Sequence, residues 1–471
     1  MVRSNSGSGA AWTRRVAWAV LACVATTPAA WGADGKRPNI VVLITDDMGY
    51  ADLGYHGNRD FPTPNIDALA SSGTRFTNGY VSGLYCSPTR AGFLTGRYQQ
   101  RFGHEWNPSG GRNLGLPLGE KTIADRLKAA GYATALVGKW HLGGDADHHP
   151  LRRGFDEFFG FLGGAHTYFA EKTENVYRGT EVVREKAYLT DAFAREAVDF
   201  IERRKGKAEP FFLEVAFNAV HTPMDADDER LARFSAIADP TRRTYAAMLT
   251  ALDDAVGAIV AKLRAEGLED DTLIAYFNDN GGPTMTGTTK NGSRNDPFRG
   301  SKRTSLEGGV RVPFLLSWKG TLPAGASYDK PVIQLDLLPT ALAAAGVEVD
   351  PEWKLDGVNL LPFLTGAAAG APHEALYWRM GPQAAVRKGD WKLVRYDSTV
   401  DTPGARSNAA RARVTPFRLY NLARDPGESS DLSAENPEKV QELLAAYRAW
   451  NAQLAEPLWG PGAGEAAAKG D

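Results

Sequence analysis

The sequence predicts an α/β fold. A large, mostly parallel sheet with helices on both faces is followed by a smaller C-terminal antiparallel-sheet-and-helix subdomain. Three observations predict it. Four short apolar runs each stop at a polar cluster, helical patterns lie between them, and a Gly/Ala-rich stretch then gives way to short strands. Continuous apolar runs separated by helices are the mark of parallel strands buried on both faces.

The first run, Asn39 to Ile44, stops at Thr45-Asp46-Asp47. The second, Tyr132 to Val137, stops at Gly138-Lys139-Trp140-His141. The third, Phe211 to Phe217, stops at Asn218 and His221, and the fourth, Thr272 to Phe277, at Asn278-Asp279-Asn280-Gly281-Gly282. Helical spacing covers Thr122 to Ala130, Ala192 to Arg203 and Tyr245 to Ala265. In sheets of this kind ligands bind beyond the carboxyl ends of the strands. Asp46, Asp47, Lys139, His141, His221, Asp279 and Asn280 are therefore expected on one rim.

The stretch from Gly366 to Pro372 reads as a loose connection. Beyond it, Ala375 to Met380, Gln383 to Arg387 and Trp391 to Tyr396 read as antiparallel strands, and Pro437 to Leu454 as an amphipathic helix. The expected organisation is a leader over 1–32, an α/β domain over 33–365, an α+β subdomain over 366–460 and a disordered tail over 461–471.

The leader reading rests on Arg14-Arg15, a short apolar run from Val16 to Ala25, and small residues up to Ala33. Basic head, apolar centre and small-residue exit make a secretory signal, too short to span a bilayer. The protein is expected to be exported, periplasmic or secreted, and not an integral membrane protein. Lipidation at Cys23 is a minor alternative. Of the 471 residues 43% are hydrophobic and 23% charged, and the net charge of −2 gives no reason to expect nucleic acid as a partner.

Cys23 and Cys86 are the only cysteines. With the leader removed, Cys86 has no partner for a disulfide. Ser87-Pro88 after it reads as a helix start, Ser as N-cap and Pro at the first helical position, with Gly96 as a stop. Cys86 would then sit where backbone N–H groups favour an anion, with Arg90 one turn in. Asp46-Asp47 and Asp279-Asn280 offer oxygen ligands, which suit a hard cation, Ca²⁺ or Mg²⁺. Lys139, His141, His221 and Lys302 add donors that suit a polyoxygenated anion and protonation of a leaving oxygen. His148-His149 read as solvated. The loop Thr286 to Asn295 is either a sugar-binding segment, through residues such as Asn291 and Arg294, or a solvated turn; His104 and Trp106 are candidates for the same mouth.

Together "CSPTR", "AGFLTGRY", "GKWHLG", "FNDNGG" and "RGSKRTSLEGGVRVP" resemble the type I, formylglycine-dependent sulfatases of the alkaline phosphatase superfamily. The resemblance runs from Pro38 to about Leu432. It implies that a formylglycine-generating or sulfatase-maturating enzyme converts Cys86 to 3-oxoalanine, whose hydrate attacks sulfur and then collapses to expel sulfate. It further implies that Asp46, Asp47, Asp279, Asn280 and the modified Cys86 hold Ca²⁺. Arg90 would hold the diol, Lys139 and Lys302 bind sulfate, His141 act as base for the collapse, and His221 with Lys302 assist the leaving oxygen. Two positions depart from the family pattern: Asn278, where serine is frequent, and Ser301, where glycine is common. The implied substrate is an organic sulfate ester, a sulfated carbohydrate or aryl sulfate. The alternatives are a phosphoester or phosphonate hydrolase of the same superfamily, and a sulfated-glycan binding protein that never acquires the aldehyde.

Overall fold

The computed structural model describes residues 1–2, 36–108, 114–169, 176–402, 404–408, 412–461 and 463. The leader, apart from its first two residues, and the Cys23 lipidation alternative lie outside the described residues, as does nearly all of the expected tail.

Ten strands form one mixed sheet. In spatial order they are Ala326–Tyr328, Thr74–Phe76, Phe314–Ser317, Thr272–Asn278, Asn39–Thr45, Phe211–Ala216, Ala133–Lys139, Glu157–Phe161, Val176–Arg178 and Glu181–Val183. The five central strands, from Thr272–Asn278 to Glu157–Phe161, are mutually parallel. Phe314–Ser317 on one flank and Val176–Arg178 on the other pair antiparallel with them, so the expected parallel character holds for the centre.

Alternate residues of the central strands feed two cores. Val41 and Leu43 pack with the helices Leu189–Arg204 and Pro240–Ala265. Ile40, Val42 and Ile44 pack on the other face with Cys86–Thr95, Ile123–Ala129 and Leu337–Ala344. Both faces are covered, which is why these strands show no polar alternation. The register sets Thr45 beside Asn278 and Ala216 beside both Ile44 and Gly138. The strands therefore end at nearly one level, and the polar residues after them emerge together.

The C-terminal sheet has four antiparallel strands, Leu376–Met380, Gln383–Lys388, Trp391–Arg395 and Arg418–Asn421, covered by the helix Pro437–Asn451. Its core is not closed on itself. Leu376, Trp378, Val386 and Leu393 share one apolar cluster with Tyr80, Tyr85, Leu306 and Leu335 of the larger unit. Trp378 Nε1 also donates to the Val81 carbonyl at 2.7 Å.

One mid-strand residue breaks the apolar rule. Glu214 is buried beside Val42 and Leu136, and its Oε2 has no hydrogen-bond partner among the described residues. Burial pushes its carboxyl up to about 8, only partly opposed by the Arg90 charge. The acid is neutral in the folded protein at pH 7. A folded value above the unfolded 4.5 means stability that is complete at low pH and lost as pH rises through about 8. Glu214→Gln should therefore gain on the wild type with pH, by roughly 2–4 kcal/mol between about pH 5 and pH 9. Melting curves of both proteins across that range check this; a constant difference would contradict it.

Candidate active site

Cys86 begins the helix Cys86–Thr95 and is a buried free thiol. The helix starts two residues earlier than expected. Tyr85 is the N-cap, no side chain caps it, and Pro88 lies in the first turn. Ser87 is not the cap, because its hydroxyl is engaged elsewhere: Oγ donates to the His141 carbonyl (2.7 Å) and lies 2.6 Å from His104 Nε2. That bond ties the helix to the loop carrying His141. Gly96 ends the helix as expected, at φ 65°, with its N–H on the Gly92 carbonyl.

The acidic pair leaves the strand Asn39–Thr45 on a buckled loop. Asn278 Oδ1 accepts from Thr45 Oγ1 (2.8 Å) and the Met48 N–H (3.2 Å), so its carboxamide holds both ends of the loop. Asp46 N donates to Ala219 O, and Val220 N donates to Asp46 O. The His221 loop is thereby fixed to the acids. At the other departure from the family pattern, Ser301 Oγ accepts from the Thr284 N–H (2.9 Å), bracing the loop before Lys302. Asp47 at φ 60° and His141 at φ 61° both occupy the left-handed region. For such residues this costs of order 1 kcal/mol, and it commonly marks functional turns.

Four potential ligands converge: one atom each of Asp46, Asp47, Cys86 and His221, all within 4.8 Å of one another. Cys86 Sγ is 3.6 Å from Asp46 Oδ1. Lys139 Nζ lies 2.5 Å from Asp46 Oδ2, and Lys302 Nζ 2.7 Å from Asp47 Oδ1. Arg90 donates to Asp279 Oδ2 from Nε (3.1 Å) and Nη2 (2.9 Å), and from Nη1 to the Lys139 carbonyl. Asn280 Nδ2 donates to Asp47 Oδ1, and Thr289 Oγ1 to Asp47 Oδ2, each at 2.8 Å. All these side chains but Thr289 are buried.

Burial opposes the charge of Asp46, yet Lys139, His221 and Arg90 hold its carboxyl far below the usual range. Lys302 and His221 likewise outweigh burial at Asp47. Asp279 goes the other way: burial and the Asp46 charge push it up to about 7 in spite of Arg90. Burial, then Asp46, push the Cys86 thiol up to about 12, so it is not a ready thiolate. Burial, then Lys139 and Arg90, push His141 well down and keep it neutral.

A hard cation fits this set. Asp279 Oδ1 and Asn280 Oδ1 are buried acceptors with no partner among the described residues, beside two ionised carboxylates. Orphaned buried oxygens of this kind are costly unless an ion or water satisfies them. His221 gives a second sign. Its Nδ1 is 2.5 Å from the Thr222 carbonyl, so Nε2 faces Asp47 Oδ2 at 3.5 Å, two lone pairs opposed unless a proton or cation lies between.

The substrate candidates fare differently. Asn291 is fully buried, with Nδ2 on the carbonyls of Asp47 (3.0 Å) and Val220 (2.9 Å); it braces the acid loop and does not reach the mouth. His104 is fully buried against Ser87 and Trp459, and burial pushes it down to about 3; it is an interior residue, not a mouth residue. Arg294 is exposed, paired with Asp60 at 2.9 Å. Trp106 does line a surface pocket, with Tyr85 and Arg303. His148 and His149 are buried, not solvated, with His148 Nδ1 bonded to Asp145 Oδ1 at 2.8 Å. Thr289 acts here without a sequence signal beyond its place in a polar loop, and Ser87 in a role other than the helix cap expected of it.

A sulfatase family model matches residues 38–347. The chain belongs to the sulfatase family. It is a sulfuric ester hydrolase by that membership. It is 33% identical over 447 residues to N-acetylgalactosamine-6-sulfatase of Sus scrofa, covering 87% of this chain and 84% of the relative. It is also 33% identical over 480 residues to Arylsulfatase J of Mus musculus, covering 90% of this chain and 77% of the relative. Among solved structures, Ps i-CgsB in complex with k-i-k-neocarrahexaose superposes with a TM-score of 0.82 at 36% identity, over 92% of this chain and 96% of that one.

Proposed function

We propose that this sulfatase removes sulfate from sulfated carbohydrates, with residue 86 acting as formylglycine beside a calcium ion. The carrying observation is the convergence of Asp46, Asp47, Cys86 and His221 inside a ring of Lys139, Arg90 and Lys302. Asp46, Asp47, Asp279 and Asn280, with residue 86, would hold the ion; Mg²⁺ is the alternative. Bound there, the cation would supply positive charge to the sulfate and to residue 86. The hydrated aldehyde would supply the attacking oxygen in place of the Cys86 sulfur. Overall, water is added across the ester, giving an alcohol and sulfate.

The remaining work falls to this chain's own side chains. Arg90, locked by Asp279 and the Lys139 carbonyl, orients residue 86 one turn before it. Lys139 and Lys302 lie on opposite acids, a spacing that suits donors on either side of one anion. Asp47 holds the Lys302 ammonium charged against burial, so it can offset charge developing on the leaving oxygen. His221 presents Nε2 to the same side, so that a proton held between Nε2 and Asp47 Oδ2 is placed to pass to that oxygen. His141 is neutral and its Nδ1 has no partner among the described residues, which leaves that atom to take a proton from residue 86.

The carbohydrate assignment draws on two of these similar proteins, N-acetylgalactosamine-6-sulfatase and the structure in complex with a neocarrahexaose. Export is proposed from the leader pattern alone; among the described residues no helix is long and apolar enough to cross a membrane. A side-by-side assay tests the reaction class. The matured protein should show a higher kcat/KM for 4-nitrophenyl sulfate than for 4-nitrophenyl phosphate, and the reverse order would favour a phosphoester hydrolase. The ion has its own test. Chelation should lower Tm by several degrees, because occupancy at about 100 Kd contributes about 2.7 kcal/mol. Added Ca²⁺ should restore it, and a Tm indifferent to chelator would remove the ion from the account.

A further inference from the structure

Beside the nucleophile helix lies a pocket of about 570 Å³ whose lining includes Tyr85, Trp106, Arg303 and Arg406. Tyr85 and Arg303 are the chain neighbours of Cys86 and Lys302, so this pocket adjoins the site already described. Resting on the sulfatase reading above, we propose that it is a second anion-binding subsite, which takes a sulfate on the sugar next to the one held at residue 86.

Three features carry this. The first is charge. Arg303 and Arg406 both line the pocket, and no carboxylate does among the described residues. The acid bonded to a lining residue, Asp397, is buried and accepts from Ser407 Oγ at 2.8 Å. Two guanidinium groups without a carboxylate suit a planar or tetrahedral oxyanion.

The second is a fixed aromatic wall. Tyr85 and Trp106 rings stand 6.2 Å apart. A Cβ on Gly381 would come within 2.9 Å of the Trp106 ring, and one on Gly460 within 2.6 Å, so the indole is clamped from two sides. Its Nε1 is buried and finds no partner among the described residues. A rigid indole beside guanidinium groups is suited to the apolar face of a pyranose, with charged substituents turned to the arginines.

The third is backbone cost. Arg303 sits at φ 80°, an unfavourable region for a residue with a side chain. It is kept there by its N–H on the Leu84 carbonyl (3.0 Å) and by Gln383 Nε2 on its own carbonyl (2.7 Å). Its Nη1 donates to the Gly287 carbonyl (2.7 Å), and the guanidinium lies 5.6 Å from the Tyr85 ring centroid. Gly287 is itself pressed on the segment carrying Arg406: a Cβ there would meet Ser407 O at 2.4 Å. Ser407 N donates to Thr286 O at 2.9 Å. The C-terminal unit thus delivers its arginine to the mouth of a site built by the larger unit.

The test is calorimetric titration of the full-length, calcium-loaded protein carrying Cys86→Ala, which cannot consume the probes. The probes are galactose-based disaccharides bearing one sulfate, or one on each sugar. The expected result is about tenfold tighter binding of the disulfated probe, reduced to about twofold or less by adding Arg406→Glu. Arg406 is exposed, so that variant should fold. Arg303→Gln should reduce the preference likewise. Equal binding of both probes, or a preference that survives both substitutions, overturns the subsite. Turnover of 4-nitrophenyl sulfate by the matured wild type reports separately. Turnover without a disulfate preference removes only the subsite, and a preference without turnover removes only the catalytic reading.

Discussion

Replacing Cys86 with alanine should abolish sulfate ester hydrolysis, by about four orders of magnitude or more, while the fold stays in place. Loss of a nucleophile that acts as part of a unit has effects of that size. The structural cost is small by comparison. The thiol is neutral, with burial pushing it up to about 12, and its hydrogen bond among the described residues is the 3.6 Å approach to Asp46 Oδ1. Removing a single buried sulfur leaves a small void and costs about 1 kcal/mol. Arg90, Lys139 and Asp279 bond to one another without Cys86, so the cradle should survive. Turnover and a melting curve on the same preparation check both halves. Activity within tenfold of wild type would exclude residue 86 as the nucleophile.

Lys302→Ala is the second large effect, and its size should depend on the cation. Lys302 is buried and paired with Asp47 at 2.7 Å. Removing one partner of a buried pair usually costs about 3–5 kcal/mol, because the other charge is stranded. A bound dication would still neutralise Asp47, and Asn280 and Thr289 keep their bonds to it. In calcium the variant should therefore melt close to wild type, yet turn over about 10²–10³-fold more slowly, the loss typical of one preorganised donor. In chelator its Tm should fall well below that of chelated wild type. His221→Ala should likewise lower turnover more than it disturbs folding. Equal proportional losses of Tm and activity in calcium would reduce Lys302 to a structural ion pair.

Much of this was legible in the chain because the central strands are buried on both faces. Asn39–Thr45 and Thr272–Asn278 are unbroken apolar runs ending in acids, and parallel register brings such ends together. The long helices were legible from their spacing, with ends displaced by a few residues. Short outer strands such as Thr74–Phe76 and Ala326–Tyr328 were not, since three residues carry no periodicity. The fourth strand of the C-terminal sheet, Arg418–Asn421, escaped because its four residues are too few to show a period. Ser87 read as a cap because Ser-Pro commonly starts helices, but a bond to the His141 carbonyl from a distant loop outweighed that local preference. Asn291 and His104 read as candidates for the mouth and His148 as solvated, because polar residues in loops are usually exposed. Here the loops fold inward and spend those side chains on backbone and neighbouring groups. Periodicity also shows that a face is apolar, not what it packs against. The core shared by Trp378 and Tyr80 was hidden for that reason, and with it the route of Arg406 to the mouth.

The central claim is that the residue at position 86 works as an aldehyde, and the mass of the proteolytic peptide containing it tests that most directly. Protein made in a host with a maturation enzyme, and shown to hydrolyse an aryl sulfate, should yield this peptide with the mass change of CH₂SH becoming CHO. An unmodified Cys86 thiol throughout a fully active preparation would contradict the account.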